Sequence, residues 1–166
     1  LADHPVNRFR KEKGLRQATS LWPWGEGKAM TVPSLKEEYG ITGAMISAVD
    51  LLKGLARLRG MEVVEVPGAT GWLDTNYEGK ARAALETLTR HDFAYVHVEA
   101  PDEAGHAGSL DKKIQAIEDF DGRIVAPVLA GLEDMAVPFR LLVMPDHPTP
   151  ICRKTHTPDP VPYVLY

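Results

Sequence analysis

The stretch HVEAPDEAGHAGSLDKKIQAIEDFD, from His97 to Asp121, is the most informative part of this chain about its fold. The short aromatic and β-branched run at 93–98, which leads into it, predicts a strand. Residues 111–132, which begin in its second half, predict a long amphipathic helix. We expect Asp102 and His106 to lie on a loop between these elements. Loops that leave the carboxyl ends of strands hold the functional groups of α/β proteins. The stretch therefore predicts an α/β protein with its chemistry on that loop.

Strand and helix patterns alternate along the rest of the chain. The expected strands lie at 43–49, 61–66, 139–144 and 161–166, and the expected helices at 51–58 and 77–90. Asp50 is expected to cap the first of these helices and Gly60 to end it. This alternation predicts a mainly parallel sheet flanked by helices on both faces, with the loops after its strands on one edge. Residues 4–14 are expected to form an irregular, solvated lead-in.

Five side chains with nitrogen or oxygen donors fall on loops at that edge of the sheet. Asp146 and His147 follow the strand at 139–144, His156 lies nine residues further on, and Asp102 and His106 complete the set. Imidazole and carboxylate without thiolate suit Mn²⁺, Zn²⁺ or iron better than Ca²⁺. One ion with an open position is one interpretation. Two ions about 4 Å apart, which clamp the oxygens of a transferred phosphoryl group, are the other. The alternative to a metal site is that these five side chains are separate surface residues without a shared function.

Other side chains allow two interpretations each. His97 lies inside a strand and is expected to be structural, and His4 and His91 are expected to have no role. Cys152 lies near the ligands and could be a thiol ligand, although we expect a small buried filler. Trp22 and Trp24 suit either the wall of a ligand pocket or a packed turn. Lys53 suits either a contact with the substrate or a position on the solvated surface.

The composition limits the classes of function. The 166 residues suit one domain, and 44% of them are hydrophobic and 25% charged, as in ordinary globular proteins. The net charge of −4 and the lack of a basic block disfavour nucleic acid as a partner. No apolar run approaches the ~18 residues of a membrane span. A single cysteine excludes an internal disulfide and fits a cytoplasmic protein.

The motifs together resemble the archaeal-type cofactor-independent phosphoglycerate mutases, members of the alkaline phosphatase superfamily. The resemblance extends from His4 to Tyr163. It rests on HVEAPDEAGH at 97–106, AVDLLKG at 48–54, PGATG at 67–71, DTNY at 74–77, and Asp146-His147 followed by Thr155-His156. It implies an incomplete alkaline-phosphatase-like core, and the interconversion of 3-phosphoglycerate and 2-phosphoglycerate through a phosphoserine.

The resemblance also implies how the metal ions are held. Asp102, His106 and His156 would bind one divalent ion, and Asp146 and His147 the second. Mn²⁺ is the first candidate, with Zn²⁺ and Mg²⁺ as alternatives. The implied partner is a small phosphorylated substrate of glycolysis, and Lys53 is a candidate for contacting it. The oligomeric state stays open.

The sequence departs from the family pattern in one respect. The family has an aspartate ligand, the nucleophilic serine and then a cap domain that binds substrate, and we find no counterpart of them in this chain. The serines Ser20, Ser34, Ser47 and Ser109 do not lie in the matching context. We therefore expect residues 1–166 to be a partial catalytic domain that is inactive by itself. The alternatives are a phosphopentomutase, phosphatase or phosphonate-processing enzyme of the same superfamily, or a metal-binding domain without catalysis.

Overall fold

The computed structural model describes residues 1–166, which form two compact units, Leu1–Thr31 and Val32–Tyr166. The first unit contains helix α1, Pro5–Glu12. The expectation of an irregular lead-in was wrong, because His4 accepts a hydrogen bond from the backbone at the start of this helix and Pro5 suits its first turn. No helix of the chain is both long enough and apolar enough to cross a membrane.

Asn7 is buried within the first unit, whereas the two tryptophans of that unit are exposed. The buried amide of Asn7 donates to the carbonyls of Leu1 and Ala18 and accepts from the Ala18 N–H, at 2.7–2.8 Å. Trp22 and Trp24 are 88% and 86% exposed. The structure therefore shows neither a packed turn nor a pocket wall at these tryptophans.

A three-stranded parallel sheet is the centre of the second unit. Its strands are β1, Gly43–Ile46, β2, Glu62–Val64, and β3, Phe93–Val96, in the order β2-β1-β3. All residues of β1 are buried, which explains why the central strand is a continuous apolar run. The predicted α/β class with a parallel sheet flanked by helices is confirmed.

The helices of this unit include those predicted at 51–58 and 77–90. They are α2, Leu35–Tyr39; α3, Asp50–Leu58; α4, Tyr77–Leu88; α5, Ala100–His106; α6, Leu110–Phe120; a π-helical turn at Asp121–Val125; and α7, Ala126–Asp134. Gly60 follows α3 with φ of 68°, as expected of a helix stop. The predicted cap was wrong, since Val49 occupies the N-cap position and Asp50 is the first helical residue.

The predicted long helix is confirmed as the continuous run from α6 to α7. Its π-helical turn comes just before Pro127, which has no N–H to donate. Only the second half of the predicted apolar face is buried, where Ile124, Val128 and Leu132 pack with Tyr77 of α4 and Ile46 of β1. The isoleucines in the first half are about half exposed.

The last two predicted strands are shorter than expected and leave the parallel sheet. They are β4, Leu142–Val143, and β5, Val164–Leu165, which pair antiparallel as a separate two-stranded sheet. The apolar runs at 139–144 and 161–166 could not indicate this, because their patterns do not specify a partner or its direction. The expectation that Cys152 is buried was also wrong, since its side chain is exposed.

Candidate metal centre

Helix α5 holds the first two predicted ligands, where a loop had been expected. Pro101 lies in its first turn, which suits a residue without an N–H, and Asp102 and Glu103 place negative charge at the helix start. Asp102 and His106 are four residues apart and therefore lie on one face of this helix. Their side chains are in contact, with Asp102 Oδ2 3.3 Å from His106 Nε2.

The backbone of a distant segment orients the imidazole of His106. Its Nδ1 lies 3.0 Å from the carbonyl oxygen of Lys154. A carbonyl only accepts, so Nδ1 carries the hydrogen and donates it, which leaves Nε2 with a free lone pair in the neutral ring. Lys154 has φ of 56°, in the left-handed region that non-glycine residues rarely adopt. A histidine fixed in this way is typical of a metal ligand.

His156 closes a triangle with these two side chains. Its Nε2 lies 3.1 Å from His106 Nε2 and 3.3 Å from Asp102 Oδ1. Atoms that bind one Zn²⁺-like ion at about 2.0–2.2 Å are roughly 3–3.5 Å apart. The three donors therefore fit a single divalent cation.

Asp146 and His147 extend the same cluster. Asp146 Oδ2 lies 3.3 Å from His147 Nε2, and His147 Nδ1 lies 4.0 Å from Asp102 Oδ1. The rings of His147 and His156 overlap at 3.7 Å between centroids. Three donor atoms lie within 4.8 Å of one another, one from each of Asp102, His147 and His156. The five predicted ligands thus form one connected cluster, and their division between two ions stays a prediction.

Two residues near the ligands were missed by the sequence analysis. The hydroxyl of Thr149 donates to Asp102 Oδ1, and the ammonium of Lys113 donates to the Thr149 carbonyl at 2.8 Å. Thr149 stands between two prolines directly after Asp146-His147, which was an available signal. Lys113 gave none, because it looks like any solvated lysine of an amphipathic helix.

A cavity of about 800 Å³ lies beside the cluster. Its walls include Asp102, Asp146 and Glu99, whose pKa is raised by burial and then by the neighbouring Glu103 and Asp102. Lys113 is the only lysine or arginine in the lining. The wall therefore carries more negative than positive charge, which suits cations.

Lys80 lies on α4, and His97 directly follows β3, where a position inside the strand was predicted. Lys80 is only 1% exposed, and its ammonium donates to the His97 carbonyl at 3.0 Å. Burial lowers the pKa of Lys80 to about 8 against the opposing charge of Glu99. His97 lines the cavity, and its Nδ1 lies 3.3 Å from the Ser47 hydroxyl, so a purely structural role for it stays a prediction.

The remaining predicted positions lie away from the ligands. Lys53 forms an ion pair with Glu65 at 3.0 Å and a longer one with Asp50, and it is absent from the cavity lining. His91 pairs with Glu62 at 2.7 Å. The structure thus does not bring Lys53 to the cluster, and its substrate role stays a prediction.

Comparison with known proteins identifies relatives of this chain. A 2,3-bisphosphoglycerate-independent phosphoglycerate mutase of Methanosarcina acetivorans is 59% identical over 98% of this chain and 41% of its own length. A probable enzyme of the same name from Geobacter sulfurreducens is 55% identical over the whole chain and 41% of its own length. The predicted resemblance is confirmed. The chain spans about 41% of the curated relatives that it matches.

Two solved structures share the fold. A Pyrococcus horikoshii protein superposes with a TM-score of 0.84 at 31% identity, over 99% of this chain and 43% of that one. The cofactor-independent phosphoglycerate mutase of Thermoplasma acidophilum superposes with a TM-score of 0.58 at 30% identity, over 100% of this chain and 38% of that one. The sequence pattern of the Metalloenzyme superfamily matches residues 12–166. The chain therefore belongs to the Metalloenzyme superfamily.

Proposed function

We propose that residues 1–166 form the metal-binding part of a phosphoglycerate mutase that interconverts 3-phosphoglycerate and 2-phosphoglycerate without 2,3-bisphosphoglycerate. The single observation that carries the proposal is the convergence of Asp102, His106 and His156 beside the cavity. Identity of 59% with the Methanosarcina acetivorans enzyme supports it. Because that match covers 41% of the relative, the activity is proposed for the full-length protein.

The charge of the cavity supports two metal ions. Glu99, Asp102 and Asp146 supply three carboxylates and Lys113 one ammonium, so the ionised wall has an excess of two negative charges. One divalent ion would only neutralise this excess, whereas two would make the wall attractive to an anionic phosphate ester. We take Mn²⁺ as the first candidate because imidazole and carboxylate both suit it, with Zn²⁺ and Mg²⁺ as alternatives.

The proposed ligands fall into two sets. Asp102, His106 and His156 would hold one ion, and Asp146 and His147 would contribute to the second. Bound ions would neutralise charge on the transferred phosphoryl group and activate the attacking oxygen. The chain itself holds the ligands in place, as the Lys154 carbonyl does for His106. Apolar side chains, including Leu52 and Ile117, line part of the same space.

The nucleophile is proposed to come from another part of the full-length protein. No serine of this chain lines the cavity. Ser34 caps α2, Ser47 accepts from the Val49 N–H at 3.0 Å, and Ser109 precedes α6. A serine from that other part would take the phosphoryl group from one hydroxyl oxygen of the glycerate and return it to the neighbouring hydroxyl. Residues 1–166 are therefore proposed to bind metal but to be inactive alone, as part of a cytoplasmic glycolytic enzyme.

A coupled assay on the full-length protein tests this function. We expect 2-phosphoglycerate to form from 3-phosphoglycerate with Mn²⁺, to stop after chelation and to return when Mn²⁺ is restored. Asp102→Asn should abolish turnover, whereas the control His4→Ala should retain it. Other phosphate esters, including ribose phosphates, serve as competing substrates. Undiminished turnover after chelation, or preference for another ester, would contradict the proposal.

A further inference from the structure

We propose that Thr149 is a positioning residue for both metal sites. One hydroxyl would orient the carboxylate of Asp102, assigned to the first ion, and the imidazole of His147, assigned to the second. The inference rests on the proposed metal centre and adds to it a residue that binds neither ion.

The first contact fixes the direction of the hydroxyl. Thr149 is 3% exposed, and its hydroxyl bonds to Asp102 Oδ1. A carboxylate can only accept, so the threonine is the donor. The bond fixes the rotation of the carboxylate. Asp102 Oδ2 then faces His106 and Oδ1 faces His156, at 3.3 Å in each case.

The second contact follows from the first. With its hydrogen committed to Asp102, the Thr149 oxygen can only accept from the other neighbour, His147 Nδ1, at 3.4 Å. Nδ1 of His147 must then carry the hydrogen. Its Nε2 keeps the lone pair on the side of Asp146, whose Oδ2 is 3.3 Å away. The hydroxyl thereby selects the nitrogen of His147 that is available to a metal.

Three features hold Thr149 in this position. Its carbonyl accepts from Lys113 Nζ at 2.8 Å. The flanking Pro148 and Pro150 restrict the backbone on both sides. A Cβ atom at Gly105 would lie 2.4 Å from the Thr149 carbonyl oxygen, so the close approach of this segment to α5 requires glycine there. The hydroxyl is thus held rigidly against the ligands.

The test compares hydroxyl removal with hydroxyl retention in the full-length protein. Thr149→Val removes the bonds at nearly constant volume, and Thr149→Ser keeps them. Thr89→Val is the matched control, because that hydroxyl bonds only to the Glu86 carbonyl on the exposed end of α4. Mn²⁺ affinity is measured by titration calorimetry, and ligand geometry by the visible spectrum of the Co²⁺-loaded protein.

Loss of an outer-shell partner typically weakens metal binding ~10–100-fold, and we expect this for both ions in Thr149→Val. The Co²⁺ spectrum should change in that variant and stay unchanged in Thr149→Ser and Thr89→Val. If Thr149→Val does not fold, Lys113→Met provides the second test, with a smaller loss of affinity expected. Wild-type Mn²⁺ affinity in Thr149→Val would overturn the inference about Thr149 and leave the metal centre standing. If Thr149→Val is unfolded, wild-type affinity in a folded Lys113→Met would have the same meaning. A wild-type protein that binds no Mn²⁺ would overturn the metal centre and the inference together.

Discussion

The Nε2 atoms of His106 and His156 lie 3.1 Å apart, although the two histidines are 50 residues apart in the sequence. The Nδ1–H of His106 is donated to the Lys154 carbonyl, so its Nε2 lone pair faces the second ring. Two imidazole nitrogens at this distance share either one proton or one metal ion. With Asp102 3.3 Å from both, a metal ion satisfies all three donors.

Removing one of these donors should weaken metal binding without unfolding the protein. His106→Ala deletes a ligand whose side chain is about one-third exposed, so we expect a modest change in stability. We expect the Mn²⁺ affinity to fall by more than ~100-fold, beyond the effect of losing an outer-shell partner. Calorimetric titration measures it. His4→Ala, which removes an exposed histidine, is the control, and equal affinities in the two variants would exclude His106 as a ligand.

Substitution of Asp146 should separate the two proposed sites. Among the proposed ligands, Asp146 contacts His147, which is assigned to the second ion, so Asp146→Ala should weaken the binding of that ion and spare the other. Metal content after gel filtration in Mn²⁺ is expected to fall from two ions to one per chain. Loss of both ions, or of neither, would show that the division of ligands is wrong.

Gly105→Ala should disturb the centre through the backbone. The new Cβ would meet the Thr149 carbonyl oxygen at 2.4 Å, and backbone cannot move aside as a flexible side chain does. Overpacking of this kind costs about 1–3 kcal/mol of unfolding free energy, and the displaced Thr149 should also lower Mn²⁺ affinity. Gly54→Ala is the matched control, since its Cβ would meet nothing within 4 Å.

Gly54→Ala should leave the free energy of unfolding unchanged or raise it slightly, because alanine stabilises a helix interior by up to about 1 kcal/mol relative to glycine. Urea unfolding of the metal-free proteins gives both values. Equal free energies of unfolding in Gly105→Ala and Gly54→Ala would mean that the segment around Thr149 is free to shift.

The buried Lys80 should make stability depend on alkaline pH. Its pKa is lowered by burial from 10.5 to about 8, so the unfolded chain binds more protons than the folded chain between these values. The free energy of unfolding should therefore rise with pH from about 8 to about 10.5, by at most about 3 kcal/mol for this group.

Lys80→Met should lack this contribution. Chemical denaturation of the metal-free wild type and variant at pH 7.5, 9 and 10 gives the difference between them. We expect the wild type to gain stability relative to the variant as the pH rises. A difference that is constant or changes in the opposite direction would show that the ammonium of Lys80 is not destabilised by burial.

The sequence predicts the parallel sheet because β1 is a continuous apolar run and Gly60 marks a helix end with its left-handed backbone. It also predicts the residue types that gather around α5, although the strand before Asp146 is not part of that sheet. It does not predict α5, since seven residues are too short for a clear helical period. The position of Thr149 depends on contacts with Asp102 and Lys113, which are 47 and 36 residues away.

The proposed function depends on metal binding by Asp102, His106 and His156. Crystals of the full-length protein grown with Mn²⁺ and measured at the manganese absorption edge test it most directly. We expect an anomalous peak within bonding distance of one oxygen of Asp102 and of Nε2 in His106 and His156, and a second peak beside Asp146 and His147. Manganese bound elsewhere, or absent from these donors at saturating concentration, would contradict it.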